Sequence, residues 1–141
     1  MRIRRSTNIA VRPLNLPDLS SLTLLVVDDN DDSLDLLTSF LRACGARVLG
    51  ARGALSALSY VETQSRIDAI ITDLSMPAMD GVELVTRLRA HPKGASMPAV
   101  ALTGFYEQYM DTRGAGFNAF LRKPVNFDEL CRTIRTVTER R

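Results

Sequence analysis

The stretch Leu24-Leu25-Val26-Val27-Asp28-Asp29-Asn30 is an apolar run that stops abruptly on two carboxylates. A strand with one wet face alternates apolar and polar residues. This run, beginning at Leu22, does not alternate, so it suits a strand covered on both faces. Four more runs follow at Arg47–Ala51, Ala69–Thr72, Pro98–Thr103 and Ala119–Arg122, most of them Val, Ile, Leu and Ala. Between the runs, apolar residues recur at three and four positions, the spacing of an amphipathic helix. Leu34, Leu37, Phe40, Leu41 and Cys44 mark the first helix, which Gly45 stops. Ala54, Ala57, Leu58 and Val61 mark the second. Val82, Val85 and Leu88 mark a third that runs toward His91-Pro92. A weaker fourth, around Tyr106 to Arg113, has Tyr106, Tyr109 and Met110 as its apolar face, and Phe127, Leu130, Cys131, Ile134 and Val137 make the fifth. Five strands alternating with five helices predict an α/β sandwich with a mainly parallel sheet, because each crossover helix returns the chain to the same edge.

In a parallel sheet all C-terminal strand ends share one edge, where open α/β folds bind their ligands. The first run ends in Asp28-Asp29, the third in Asp73, the fourth in Thr103 and the fifth in Lys123. Three carboxylates a few ångströms apart repel unless protons or a cation neutralise them. Mg²⁺ suits such a cluster, being a hard cation that takes oxygen ligands and keeps positions open for water or phosphate. A lysine point charge and a threonine hydroxyl complement phosphoryl oxygens. The set therefore points to phosphoryl transfer onto a carboxylate. Each residue also has a plainer reading: Asp28-Asp29 as helix-capping acids, Asp73 as a turn residue, Thr103-Gly104 and Lys123-Pro124 as strand terminators. Their joint placement at strand ends favours the chemical reading.

The segments Leu24 to Asn30, Ile70-Ile71-Thr72-Asp73-Leu74-Ser75-Met76-Pro77-Ala78-Met79-Asp80-Gly81, Ala101-Leu102-Thr103-Gly104 and Phe120-Leu121-Arg122-Lys123-Pro124 resemble the response-regulator receiver domains of two-component phosphorelays. The resemblance covers about residues 22–138. It implies a flavodoxin-like (βα)5 three-layer sandwich with strand order 2-1-3-4-5. It also implies that Asp73 takes a phosphoryl group from a phosphohistidine on a sensor histidine kinase or histidine phosphotransfer protein. Asp28, Asp29 and Asp73 would hold Mg²⁺ with the backbone carbonyl of Ser75, while Thr103 and Lys123 would each meet a phosphoryl oxygen. Phe120 stands at the aromatic switch position, expected to turn inward as Thr103 moves, and Lys123-Pro124 fits the family's cis peptide. The resemblance places the output face for a downstream protein on the fourth helix, fifth strand and fifth helix, making Tyr106, Tyr109 and Met110 candidate contacts. Closing the core under a short helix is their other reading. Ser75 and Phe105 occupy positions that tune phosphoryl loss in this family, and the bulk of Phe105 implies slow loss. Pro17 to Leu22, together with Val27 to Asn30, also resembles the linker and start of receivers attached behind hybrid histidine kinases, with a stand-alone regulator as the other reading.

Composition bounds the alternatives. The chain has 141 residues, 45% hydrophobic and 24% charged, the balance of one ordinary globular domain. A formal charge of +2 excludes the strong basic excess of a dedicated nucleic-acid binder. Residues 1–21, with Arg2, Arg4, Arg5 and Arg12 against Asp18 and with Pro13 and Pro17, read as a flexible basic extension, and residues 22–141 as the folded domain. No apolar stretch approaches the roughly 20 residues of a membrane span, and no secretory pattern is present, so a cytoplasmic, membrane-free protein is the expectation. Cys44 and Cys131 lack metal-knuckle or redox-motif spacing and read as buried free thiols. His91, beside Pro92, reads as a helix-end residue rather than a phosphotransfer histidine. No DNA-binding helix-turn-helix is expected after the fifth helix.

Two other functions are weighed against the receiver. A small Mg²⁺-dependent aspartyl phosphatase of the haloacid-dehalogenase type needs a second acid two residues after the nucleophile, where this chain has Ser75. An unphosphorylated docking module is the third reading, and the complete acidic set argues against it.

Overall fold

The computed structural model describes residues 18–104 and 116–139. Five strands, β1 (Thr23–Val27), β2 (Arg47–Ala51), β3 (Ala69–Asp73), β4 (Ala99–Thr103) and β5 (Ala119–Arg122), form one sheet in the order β2-β1-β3-β4-β5. Every neighbouring pair is parallel. The four described helices are α1 (Asp31–Ala43), α2 (Ala54–Thr63), α3 (Gly81–Ala90) and α4 (Phe127–Glu139). Thus α4 is the last of the expected helices. The expected helix around Tyr106 to Arg113 lies outside the described residues, as do Phe105, Tyr109 and Met110.

The lack of alternation in the strands has the anticipated cause. Leu24 and Val26 of β1, Ala69 and Ile71 of β3, and Val100 and Leu102 of β4 face one core with Leu37 and Leu41 of α1 and Leu130, Ile134 and Val137 of α4. Leu25, Val27, Ile70, Ala99 and Ala101 point the other way, into a second core with Ala57 and Val61 of α2 and Leu84, Val85 and Leu88 of α3. Both faces are dry, giving three layers.

Local signals set the helix ends. The Asn30 side chain accepts from the Ser33 N–H, capping α1, and Asp31 and Asp32 sit favourably in its first turn. Beyond α1, the Gly45 N–H donates to the Arg42 carbonyl and the Ala46 N–H to the Leu41 carbonyl, with Gly45 at φ +102°. This is a Schellman close, and the left-handed residue explains the glycine. Asp80 caps α3 by accepting from the Glu83 N–H. Ahead of β1, Leu19 is fully buried, and its N–H donates to the Cys44 carbonyl. No helix among the described residues is long and apolar enough to cross a membrane.

Candidate functional site

Asp28 follows the last residue of β1, and Asp73 closes the adjacent β3. Parallel pairing, with Val27 opposite Thr72, brings both carboxylates to one edge. Each is tethered in the same way. Asp28 Oδ1 accepts from the Asn30 N–H at 2.9 Å, and Asp73 Oδ1 accepts from the Ser75 N–H at 3.1 Å. In both cases the donor lies two residues on, as in an Asx turn. The second oxygens turn toward Lys123, whose Nζ is 3.2 Å from Asp73 Oδ2 and 4.0 Å from Asp28 Oδ2.

Carboxylate oxygens of Asp28, Asp29 and Asp73 lie within 4.8 Å of one another. Asp28 and Asp73 are 1% and 5% exposed, whereas Asp29 stands in solvent. Asp28 Oδ2 is buried with no hydrogen-bond partner. Burial pushes the Asp28 carboxyl above its ordinary range; the Asn30 N–H and the Lys123 charge oppose this, and the nearby Asp73 and Asp29 charges add to it. A buried carboxylate oxygen without a donor, beside two further carboxylates, is the donor set a hard divalent cation fits.

The loop after β3 is held close. The Gly81 N–H donates to the Leu74 carbonyl, and a Cβ at Gly81 would stand 2.6 Å from the Asp73 carbonyl oxygen. Only glycine lets α3 start so near the strand end. Within the loop, Ala78 takes a left-handed φ of 67°, and Ser75 is exposed. Thr103, 1% exposed, ends β4 next to β3, and its carbonyl accepts from the Lys123 N–H at 2.9 Å. The Lys123-Pro124 peptide is cis. Phe120 lies half-buried within β5, its ring 5.3 Å from that of Phe117. The sequence reading singled out neither Phe117 nor the tethering role of the Asn30 N–H. An Asp followed two residues later by a free N–H was the available signal for the second.

A cleft of about 270 Å³ adjoins the acidic edge, between Leu36 and Leu37 of α1, Lys123 and Val125 of the β5–α4 connection, and Phe127 of α4. Leu36 is largely exposed on its rim. His91 caps the C-terminal end of α3, with Nδ1 accepting from the Lys93 N–H.

The family model of the response regulator receiver domain matches residues 24–135. The chain belongs to this family. An uncharacterized 14.6 kDa protein of Leptolyngbya boryana is 43% identical to this receiver over 119 residues, covering 82% of this chain and 89% of that protein. The transcriptional regulatory protein PrrA of Mycobacterium leprae is 34% identical over 123 residues, 87% of this chain and 52% of the regulator's length. Among solved structures, the receiver domain of a sensor histidine kinase from Pseudomonas aeruginosa PAO1, with a magnesium ion coordinated in its active site cleft, superposes with a TM-score of 0.78. It is 31% identical, covering 84% of this chain and 98% of that one. Receivers are phosphoacceptor signalling domains with an acidic Mg²⁺ pocket, and the strand order found here is that of the family.

Proposed function

We propose that this receiver takes a phosphoryl group from the phosphohistidine of a sensor histidine kinase or histidine phosphotransfer protein onto Asp73, and that the modification changes its contacts with a downstream protein. The observation that carries the assignment to Asp73 is its convergence with Asp28, Asp29 and Lys123 at one strand edge. The Ser75 N–H fixes Asp73 Oδ1 and leaves Oδ2 as the nucleophile. Lys123 pairs with that oxygen before transfer and with a phosphoryl oxygen afterwards, and the Thr103 hydroxyl donates to another. Asp28, Asp29 and Asp73, with the Ser75 carbonyl, would hold Mg²⁺, which supplies charge neutralisation for the phosphoryl oxygens.

The aspartyl phosphate adds negative charge and acceptors at this edge. Thr103 and Phe120 are the proposed switch pair, and the output surface is the expected fourth helix with β5 and α4. The apolar cleft lined by Asp28 and Lys123, with Leu36 on its rim, supports docking of the phosphodonor there. Catalysis is confined to the domain's own phosphorylation and dephosphorylation. A cytoplasmic setting and an extension before Asp18 belong to the same reading, whereas Leu19, expected within an extension over residues 1–21, is buried against the close of α1.

Intact mass after incubation with Mg²⁺ and acetyl phosphate, beside an Asp73→Asn variant, tests the assignment. One Mg²⁺-dependent phosphoryl group on the wild type and none on the variant is expected. A modified variant would move the acceptor to another carboxylate, and no modification without phosphate release would favour a docking module.

A further inference from the structure

Cys44, at the C-cap of α1, and Cys131, inside α4, are 87 residues apart in sequence, and their sulfurs are 3.6 Å apart. Both lie outside any disulfide and have no solvent exposure. The two helices are already pinned around them. Phe40 of α1 stacks on Phe127 of α4 with ring centroids 4.5 Å apart. The segment before β1 bridges the same two elements: the Leu19 N–H donates to the Cys44 carbonyl, and Arg135 of α4 donates to the Asp18 carbonyl. A disulfide has its sulfurs about 2.05 Å apart, so closure needs a movement of about 1.5 Å. The phosphotransfer chemistry uses neither cysteine.

We propose that Cys44 and Cys131 form a reversible disulfide that staples α1 to α4. The oxidant is a small-molecule disulfide of the glutathione type. One cysteine thiolate attacks it and releases one small thiol, and the second cysteine attacks the mixed disulfide and releases another. Two electrons pass from the protein sulfurs to the small disulfide, and the two thiol protons end on the released thiols. Leu36 and Leu37 of α1 and Phe127 of α4, one turn before Cys131, line the cleft beside Lys123, so the staple joins two elements that wall that cleft.

Burial makes the reaction slow rather than absent. It pushes the Cys131 thiol up to about 12, with the contact to Cys44 adding to the effect, so the attacking thiolate is scarce while the helices stay packed. The staple therefore records sustained oxidising conditions and not brief pulses. Once formed, it closes a long loop in the unfolded chain, where cross-links constrain most.

The test is intact mass and thermal melting of the full chain, first reduced and then held folded in oxidised glutathione. Because the chain has two cysteines, a loss of about 2 Da in the monomer has one assignment. The expected result is that loss without a glutathione adduct, a Tm higher by about 5 °C or more, and reversal of both by dithiothreitol. Cys131→Ser should show neither change, and Cys131→Ala serves the same purpose if a buried hydroxyl unfolds the core. An unchanged mass in folded protein, when urea-unfolded protein does oxidise, would overturn the proposal. So would a persistent glutathione adduct, or a disulfide that lowers Tm.

Discussion

Lys123 Nζ sits 3.2 Å from Asp73 Oδ2 and 4.0 Å from Asp28 Oδ2, so a single ammonium leans on one carboxylate while a second, more deeply buried oxygen goes without a hydrogen bond. The asymmetry separates two duties. In the proposed function the cation nearer Asp73 would serve the transferred group, and the Asp28 oxygen without a hydrogen bond would serve a metal.

Replacing Lys123 with alanine removes the charge aimed at Asp73 Oδ2. Phosphorylation by acetyl phosphate should slow by roughly 10²-fold, in the range of losing one preorganised charge-stabilising group. Mg²⁺ should still raise Tm in the variant. Time-resolved intact mass gives the rate, and a change of less than twofold would remove Lys123 from the reaction.

Asp28 gives a pH signature in metal-free protein. Its folded carboxyl is raised above 3.8, so between 3.8 and the folded value the native state holds more protons than the unfolded state. The Asp28 contribution to stability therefore falls as pH rises through that window and recovers as pH drops back to 3.8. Asp28→Asn should flatten this part of the profile and stabilise the metal-free fold at neutral pH by about 1–3 kcal/mol, the scale of an unsatisfied buried polar group. The gain from added Mg²⁺ should disappear. Urea titrations across pH, with and without Mg²⁺, decide the matter. A variant less stable than wild type in chelator would show that burial of Asp28 is already compensated.

Gly81→Ala forces a Cβ to within 2.6 Å of the Asp73 carbonyl oxygen and 2.9 Å of Leu74 Cα, both backbone atoms with little room to yield. A loss of about 1–3 kcal/mol is expected, accompanied by slower phosphorylation as the strand end shifts. Gly53→Ala is the matched control, because nothing lies within 4 Å of a Cβ there. Equal effects in the two variants, measured by denaturation and by phosphorylation rate, would contradict the close approach.

Arg89 is a clasp at the opposite edge of the sheet. Its guanidinium donates to the carbonyls of Gly94, Met97 and Gly116, linking the end of α3 to the entries of β4 and β5. Burial lowers its pKa. Arg89→Ala strands several part-buried carbonyls and should cost about 2–4 kcal/mol. Arg89→Lys, with a single ammonium in place of the planar fork, should recover less than half of that. Hydrogen exchange at Asn118 and Ala119 should rise in both. Unchanged exchange would mean that the clasp does not secure the entry to β5.

The alternation of apolar runs and helical spacings determines the layered architecture, because burial on both sheet faces writes itself into consecutive residues. The carboxylates were legible for a related reason. In a parallel sheet the C-terminal end of each strand is a position along the chain, so Asp28, Asp73 and Thr103 announce a shared edge by where their runs stop. Gly45 was similarly local, since a helix stop acts over three or four residues, whereas the capping reading fell on Asp28-Asp29 and the caps are Asn30 and Asp80.

Tertiary structure decided what no local period encodes. That Lys123 favours Asp73 over Asp28, that Arg89 reaches Gly116, that Leu19 is buried against the close of α1, and that Cys44 meets Cys131 across 87 residues all depend on how helices settle onto the sheet. Sequence records which faces must leave water. The distances between side chains on different elements arise only when those faces pack, because close packing and not chain proximity sets them.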